Sequence, residues 1–167
     1  MARHKTKKVN DSPIWYVVAV SRILLGFIFL WAFLDKLFGL HYSTPTGRAW
    51  IHGGSPTTGF LSGVHGPFSS FFHSMAGHTW ADWLFMIGLA GIGVALILGI
   101  AVRVAVVAGS ALLALMWAAS LPMTTNPVID EHVMYIMLLW IIFFGYRNQA
   151  WSLGAWWRRP VRWRWLW

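Results

Sequence analysis

Long apolar stretches separated by short polar segments form the main pattern along this 167-residue chain. Residues 14–34 contain one charged residue, Arg22, whereas 83–102 and 104–121 contain none, and a fourth apolar stretch ends near residue 146. At about 1.5 Å per residue these stretches can cross roughly 30 Å of hydrocarbon, the third only just. The pattern predicts an all-α integral membrane protein, a four-helix bundle that spans the membrane at 13–36, 82–102, 104–121 and 127–147.

Two residue pairs mark predicted helix starts. Ser12-Pro13 and Asn126-Pro127 each place a capping residue before a proline, which is tolerated at the first helical position because its missing N–H is not needed there. We therefore expect the first and fourth helices to begin at these prolines.

Small residues recur at helical spacing in the second span. Gly91, Ala95 and Gly99 follow one another every four residues, with Gly88 and Gly93 beside them. Small side chains allow two helix backbones to approach closely, which replaces the hydrophobic driving force that lipid removes. This spacing predicts the face on which another helix packs.

A long polar segment, residues 41–80, separates the first two spans. Near its centre an apolar set recurs at helical spacing, with serines and a histidine opposite, which predicts a short amphipathic helix at about 67–76. This helix would lie in the outer interface or cap the bundle, and a loop of this length is a candidate lid or docking surface. The apolar set is Phe68, Phe71, Phe72 and Met75.

Composition and charge support a membrane location. The chain is 57% hydrophobic and only 11% charged, too few charges to cover a soluble domain of this length. Ten basic residues flank one side of the predicted spans, and only Lys36 and Arg48 flank the other. The positive-inside rule then predicts cytoplasmic N- and C-termini in the plasma membrane of a prokaryote. The ten are Arg3, Lys5, Lys7, Lys8, Arg103, Arg147, Arg158, Arg159, Arg162 and Arg164.

The C-terminal tail, 148–167, alternates tryptophans with arginines. Tryptophan is enriched at the headgroup level and arginine pairs with phosphate, so we predict an amphipathic tail that anchors the chain to inner-leaflet lipid. Base stacking beside arginines would look similar locally, but direct attachment to a span favours lipid over nucleic acid. The predicted anchoring residues are Trp156, Trp157, Arg158, Arg159, Trp163 and Trp165.

The chain has no cysteine, which excludes thiol chemistry, iron–sulfur clusters and covalently attached haem within it. A redox role would need a diffusible cofactor, a metal site without thiols, or a partner subunit. The five histidines of residues 41–80 include no i, i+4 pair within a predicted helix, so we interpret them as loop or interfacial residues and predict no metal site.

Ionisable residues at or inside the spans are the candidate functional groups. Arg22 lies about 13 Å into the first helix, and Asp35 is about 20 Å further along, too far to pair with it. Arg22 must snorkel, bind carbonyl groups, or meet a polar ligand in the bundle. At the outer helix ends Asp35, Lys36, Asp82, Asp130, Glu131 and His132 would converge, with Arg48 above them.

This outer cluster can be interpreted in two ways. It could exchange protons during quinone chemistry or bind an oxyanion near Lys36 and Arg48. Alternatively, Asp82, Asp130 and Glu131 are acids at helix N-termini, where the helix dipole favours them. That explanation fails for Asp35, which lies at the C-terminal end of a helix, where the negative end of the dipole disfavours a carboxylate.

Three segments carry a resemblance to a known family: RILLGFIFLWAFLDK at 22–36, GLAGIGVALILGIAVR at 88–103 and NPVIDEH at 126–132. The chain resembles the DoxX/DoxD family of small bacterial and archaeal membrane proteins over about 15–157. The resemblance implies a four-helix membrane fold and a link to a thiosulfate:quinone oxidoreductase whose large membrane subunit is DoxD-like. Its patterns fall on Arg22, Asp35-Lys36, Arg103 and Asp130–His132.

Two functions follow as hypotheses. The first is a membrane subunit of a quinone-linked oxidoreductase that oxidises thiosulfate at the outer face, with quinone as the cofactor. Asp35 and His132 would be the catalytic residues that handle protons, and the substrate or quinone would be bound by Arg22, Lys36, Arg48 and Asp130. The second is a non-catalytic membrane anchor or accessory subunit of a larger membrane assembly. With either function we expect a protein partner subunit or a homo-oligomer. A transporter is disfavoured because the four spans show no inverted repeat.

Overall fold

The computed structural model of the protein describes residues 12–124, 126–146 and 150–157. In this part of the chain the regular structure is entirely helical, with no strand. The all-α prediction is therefore confirmed. The α-helices are α1 (Pro13–Phe38), α2 (Thr58–Ser62), α3 (Ser69–Met75), α4 (Thr79–Leu98), α5 (Val102–Ala119), α6 (Glu131–Gly145) and α7 (Gly154–Trp157).

Three of these helices, α1, α4 and α5, are long and apolar enough to cross a membrane. The fourth long helix, α6, is apolar but has only 15 residues, or about 22 Å of helix. The four pack as a ring in which α1 and α5 each contact both α4 and α6. We call the end of the ring that carries residues 39–78 the loop end, and the opposite end, where α4 turns into α5, the hairpin end.

The interior and the exterior of the ring are both apolar. Phe144 is 78% exposed and Leu84 is 66% exposed, although both lie on apolar helices. A helix that is hydrophobic all round is typical of a membrane environment, because lipid, unlike water, covers such a surface without cost. The interior is filled by Leu25 and Phe29 of α1, Leu89, Ile92 and Leu96 of α4, Val106 and Leu113 of α5, and Leu139 and Ile142 of α6.

The contact between α1 and α4 is made at glycines. A Cβ atom on Gly93 would lie 2.8 Å from the backbone nitrogen of Leu30 and 3.0 Å from the carbonyl oxygen of Gly26. Gly91, in contrast, is exposed and a Cβ there would meet no atom within 4 Å. Helix α4 therefore packs against α1 through the face that carries Gly93, whereas the spacing had placed this contact on the face that carries Gly91.

Helix α6 begins at Glu131, four residues later than predicted. The side chain of Asn126 accepts hydrogen bonds from the backbone N–H groups of Val128 and Ile129, both at 2.9 Å, and so closes a turn before the helix. Asp130 is the residue that caps α6. Helix α4 is displaced the other way: it starts at Thr79 and ends at Leu98, both earlier than predicted. It ends there because Gly99 adopts the left-handed conformation that terminates a helix.

Residues 39–78 contain two 3₁₀ turns, Thr46–Arg48 and Trp50–His52, followed by α2 and α3. The amphipathic helix predicted at 67–76 is confirmed as α3, with Phe72 buried and Phe68 and Phe71 exposed. The pattern had not predicted α2. Its Leu61 packs with Phe72 in a small core that also includes Ala81 and Ala119. This segment is thus an ordered cover over the loop end of the ring.

Candidate functional site

Arg22 is fully buried, at 0% exposure, near the hairpin end of the ring. One terminal guanidinium nitrogen donates hydrogen bonds to the carbonyl groups of Leu96 and Ile97, and the other donates to the carbonyl of Trp151 at 2.8 Å. Leu96 and Ile97 belong to the last turn of α4, at the negative end of the helix dipole, which attracts a cation; the carbonyl of Leu96 also accepts from the backbone N–H of Gly99 at 3.3 Å. Of the three alternatives for Arg22, the structure shows carbonyl binding.

The same contact holds the C-terminal segment against α4. The hydroxyl of Ser152 donates to the carbonyl of Gly99 at 2.9 Å, and the backbone N–H of Leu153 donates to the carbonyl of Leu98 at 2.9 Å. Together with the bond from Arg22 to Trp151, these contacts fix residues 151–154 at the end of α4. Arg22 thus joins three parts of the chain that are distant in sequence.

Asp35 lies near the C-terminal end of α1 and is 1% exposed. Its carboxylate accepts hydrogen bonds from the backbone N–H groups of Tyr42 and Ser43, at 3.1 and 3.0 Å, and from the hydroxyl of Ser43 at 2.6 Å. These donors satisfy the buried charge despite its position at the negative end of the helix dipole. The structure therefore gives Asp35 a role in holding the loop that follows α1.

Asp82 binds the next part of the loop, at residues 55–57, in the same way. It lies in the first turn of α4 and is 9% exposed. One carboxylate oxygen accepts from the hydroxyls of Ser55 and Thr57, at 2.8 and 2.6 Å, and from the backbone N–H of Thr57 at 3.1 Å. Residues 39–78 are thus attached to the ring through two buried carboxylates, one on α1 and one on α4.

Asp130 and His132 form a local unit at the start of α6. The carboxylate of Asp130 accepts from the backbone N–H groups of His132 and Val133, at 3.0 and 3.3 Å, and contacts Nδ1 of His132 at 2.7 Å. Burial opposes ionisation of Asp130, but the bonds from the His132 ring and the two N–H groups outweigh it, so its pKa lies below the usual value. Asp130 is therefore an ionised cap of α6.

A pH dependence follows from this shift. Because folding lowers the pKa of Asp130, the cap stabilises the protein above about pH 3.9, and this contribution is lost as pH falls through the lower native pKa. Unfolding in detergent between about pH 5 and pH 3 should show a loss of stability that is smaller in Asp130→Asn. An identical decline in both proteins would contradict this assignment.

The other predicted site residues are spread over the loop end. Arg48 is exposed in a 3₁₀ turn, and Lys36 is half-buried on α1. Among the described residues, Asp35, Asp82 and Asp130 each bind their own loop or helix end, and no hydrogen bond joins one carboxylate to another. Each carboxylate thus has its own set of donors at this end of the ring, and the predicted convergence of these groups into one functional cluster stays a prediction.

The predicted anchoring residues are only partly described. Trp156 and Trp157 lie on α7, with Trp156 64% exposed. Arg158, Arg159, Trp163 and Trp165 lie outside the described residues. Anchoring of the tail to lipid stays a prediction.

An apolar cleft of about 400 Å³ lies at the loop end between α4 and α5, roofed by α2 and α3. No sequence pattern had predicted it. Trp80 and Leu84 of its lining are more than half exposed, so the cleft opens sideways onto the outer surface of the ring. Its roof includes Phe60, Leu61, Phe72 and Met75, and its walls include Phe85, Gly88 and Ile92 of α4 and Ala108, Ala111, Leu112, Leu115 and Met116 of α5.

Lys36 is the one charged residue in the described lining of this cleft. Its ammonium group lies 5.9 Å from the centre of the Phe85 ring and 3.5 Å from the hydroxyl of Ser43. The cleft exists because Gly88, Ala108 and Ala111 are small where α4 and α5 face each other. Small residues on consecutive helices were the available sequence signal, but spacing alone does not separate a packed face from an open one.

Potential metal ligands form one group in the described chain: Asp130, Glu131 and His132, whose ligand atoms lie within 4.8 Å of one another. Asp130 and His132 already bind each other and the start of α6. Loop histidines instead contact the loop itself, since His52 donates to the carbonyl of Thr46 and His73 donates to that of Val64. These contacts agree with their interpretation as loop residues.

Comparison with known proteins adds no constraint: no family model, no curated protein and no solved structure matches this chain.

Proposed function

We propose that this chain is a membrane subunit of a quinone-linked oxidoreductase, with membrane quinone bound in the cleft beside Lys36. The observation that carries the proposal is the cleft itself: its walls are apolar, it opens sideways, and Lys36 is the one charged residue of its described lining. Sites for small organic ligands combine apolar walls with a few polar groups of this kind. The resemblance to DoxX/DoxD proteins is the reason for proposing an oxidoreductase, and it suggests thiosulfate as the reductant.

The proposal includes a four-helix membrane bundle with the loop end outside the cell and both termini in the cytoplasm. The support is the charge asymmetry of the sequence and the apolar exterior of the ring. Helix α6 is short of the hydrocarbon thickness by about 8 Å, or about one and a half turns, a mismatch that local thinning of the bilayer accommodates. Lipid is then a partner over most of the exposed surface.

In this scheme thiosulfate is oxidised and quinone is reduced, and the number of electrons released by the first equals the number taken up by the second. Two thiosulfate ions each give up one electron and couple through an S–S bond to tetrathionate, and a quinone takes up the two electrons and two protons to become the quinol. Lys36 would hold the quinone by donating a hydrogen bond to one of its oxygens. Ser43 contacts both Lys36 and Asp35, so these residues connect the cleft with the loop. Proton handling by Asp35 and His132 stays a prediction, as does substrate binding by Arg22, Arg48 and Asp130.

Quinone reduction in proteoliposomes tests the proposal. We expect thiosulfate to drive reduction of an alkylquinone, and Gly88→Leu to lower the rate by roughly tenfold or more, because the leucine side chain fills the cleft. Gly91→Leu is the matched control: it adds the same side chain to the same helix at an exposed position with open space around it. Absence of thiosulfate-driven reduction in the wild type, or equal loss in both variants, would refute the proposal.

A second function has support from a different observation. Asp35, Asp82 and Asp130, which were the available acids for proton chemistry, each hold a loop or helix end through several hydrogen bonds. That arrangement favours a non-catalytic anchor or accessory subunit. Purification in mild detergent with mass spectrometry, combined with the quinone assay, would decide: a stoichiometric partner subunit without thiosulfate-driven quinone reduction supports it, and recovery of only a monomer or homo-oligomer removes its main support.

A further inference from the structure

The cleft has one polar end, at Lys36, and an apolar part that extends from this end along the axis of the ring. Lys36 lies at the level of Phe85, and the lining of α4 continues from Phe85 to Ile92, about 10 Å deeper. On α5 the lining runs from Met116 at the loop end to Ala108 at the deep end. No charged residue lines the deeper part within the described chain. The cleft is therefore amphipathic along its length.

A buried carboxylate already lies next to the ammonium group of Lys36. Asp35 precedes Lys36 in sequence, is buried, and is linked to Lys36 through the hydroxyl of Ser43, which accepts from the ammonium group at 3.5 Å and donates to Asp35 at 2.6 Å. A carboxylate or phosphate ligand would add a second negative charge in a largely apolar, membrane-embedded cleft, which is costly. A neutral oxygen acceptor needs only a hydrogen bond from Lys36. This favours a neutral head group over an anionic one.

We infer that the cleft binds a neutral single-chain amphiphile, with a carbonyl oxygen of its head at Lys36 and its chain directed toward Ile92 and Ala108. This assignment rests on the proposed quinone site and deepens it, since an alkyl- or prenylquinone has this chemistry. Thiosulfate, a compact hydrophilic dianion, does not fit the cleft. Access is sideways from the lipid past Trp80 and Leu84, where the lining is exposed.

Selection from the bilayer then depends on the head group and on shape. A chain gains little by moving from lipid into an apolar cleft, because both surroundings are equally apolar. The hydrogen bond from Lys36 in a low-dielectric site supplies the preference. We therefore expect Lys36→Met to weaken binding of the quinone by about tenfold without moving its chain.

Photoaffinity labelling in lipid nanodiscs tests the orientation. The probes are two alkylquinones that carry a diazirine either next to the ring or at the end of the chain. We expect the ring-proximal probe to label residues near Phe85 and Met116, and the chain-end probe to label residues near Ile92 and Ala108. The reverse pattern, or labelling spread evenly over the outer surface of the ring, would overturn the inference.

Two variants make the result specific. Ala108→Leu fills only the deep end, so it should abolish chain-end labelling and preserve ring-proximal labelling, whereas Gly88→Leu should reduce both by roughly tenfold. Gly91→Leu should change neither. Equal loss of both labels in Ala108→Leu would contradict the orientation.

Competition identifies the head group. A neutral alkylquinone should displace the probe more strongly than a fatty acid of matched chain length, and stronger displacement by the fatty acid would overturn the neutral head. Labelling requires no electron transfer. If the expected labelling pattern appears without thiosulfate-driven quinone reduction, the proposed redox function is refuted and this binding site is supported. If quinone is reduced but the label is found elsewhere, the redox function is supported and this binding site is refuted.

Discussion

Gly93→Ala is expected to lower the free energy of unfolding by about 3 kcal/mol, because one methyl group would separate α1 from α4. The new Cβ would lie 2.8 Å from a backbone nitrogen of α1 and 2.9 Å from the Cβ of Leu30. Backbone atoms cannot rotate away as a flexible side chain can, so the two helices must move apart. Unfolding in mild detergent on titration with a denaturing detergent, followed by circular dichroism, measures the change.

The matched control lies two residues away on the same helix. Gly91→Ala adds the same methyl group in open space, so only helix propensity changes and stability should rise by up to about 1 kcal/mol. Gly26→Ala should reproduce the loss, because its Cβ would lie 2.9 Å from the carbonyl oxygen of Gly93. Since both glycines form one contact, the double variant should lose less than the sum of the single variants. Equal stability of Gly93→Ala and Gly91→Ala would show that the helices do not meet here.

Arg22→Met is expected to destabilise the protein by about 3 kcal/mol, because it removes the guanidinium donor from three carbonyl groups, of which that of Leu96 retains the backbone N–H of Gly99. Two of them belong to the last turn of α4 and one to Trp151. The loss should also be local: hydrogen exchange at the backbone N–H of Leu153, which donates to Leu98, should accelerate. Protection of this amide group in the variant would contradict the role assigned to Arg22.

Two further variants separate geometry from charge. Arg22→Lys retains the positive charge, but an ammonium group has no planar fork to serve carbonyls on two different segments, so stability should be intermediate. Arg48→Met removes a positive charge from an exposed turn and should change stability by less than about 0.5 kcal/mol. If Arg48→Met matched Arg22→Met, the effect would come from net charge and not from the buried contacts.

The position of Arg22 bears on its predicted role as a ligand-binding residue. Arg22 and Lys36 are 14 residues apart on α1, which corresponds to about 21 Å. A single small head group cannot touch both. The cleft lies at the loop end with Lys36, whereas Arg22 holds the hairpin end together, so the two residues act at opposite ends of the ring.

Asp35 and Asp82 illustrate how buried carboxylates order the loop end. Each accepts at least two hydrogen bonds from backbone N–H groups or hydroxyls within a short stretch of chain. Because a buried carboxylate is stable only when such donors surround it, these two acids hold residues 39–78 against the ring. The roof of the cleft, formed by α2 and α3, depends on the contact at Asp82.

The sequence by itself determined the helical class, the three long apolar helices, the amphipathic helix α3 and the position of Arg22 as the one charge within the first of them. Apolar runs, helical periodicity and a lone charge are local properties of the chain. Only the tertiary structure decided which glycine meets α1, which carbonyls Arg22 binds, how each carboxylate is used, and where the cleft lies. Spacing places Gly91 and Gly93 on one helix but does not fix the rotation of that helix against its neighbour. The partners of buried polar groups, and the space left between small residues, depend on segments that are brought together only when the ring closes.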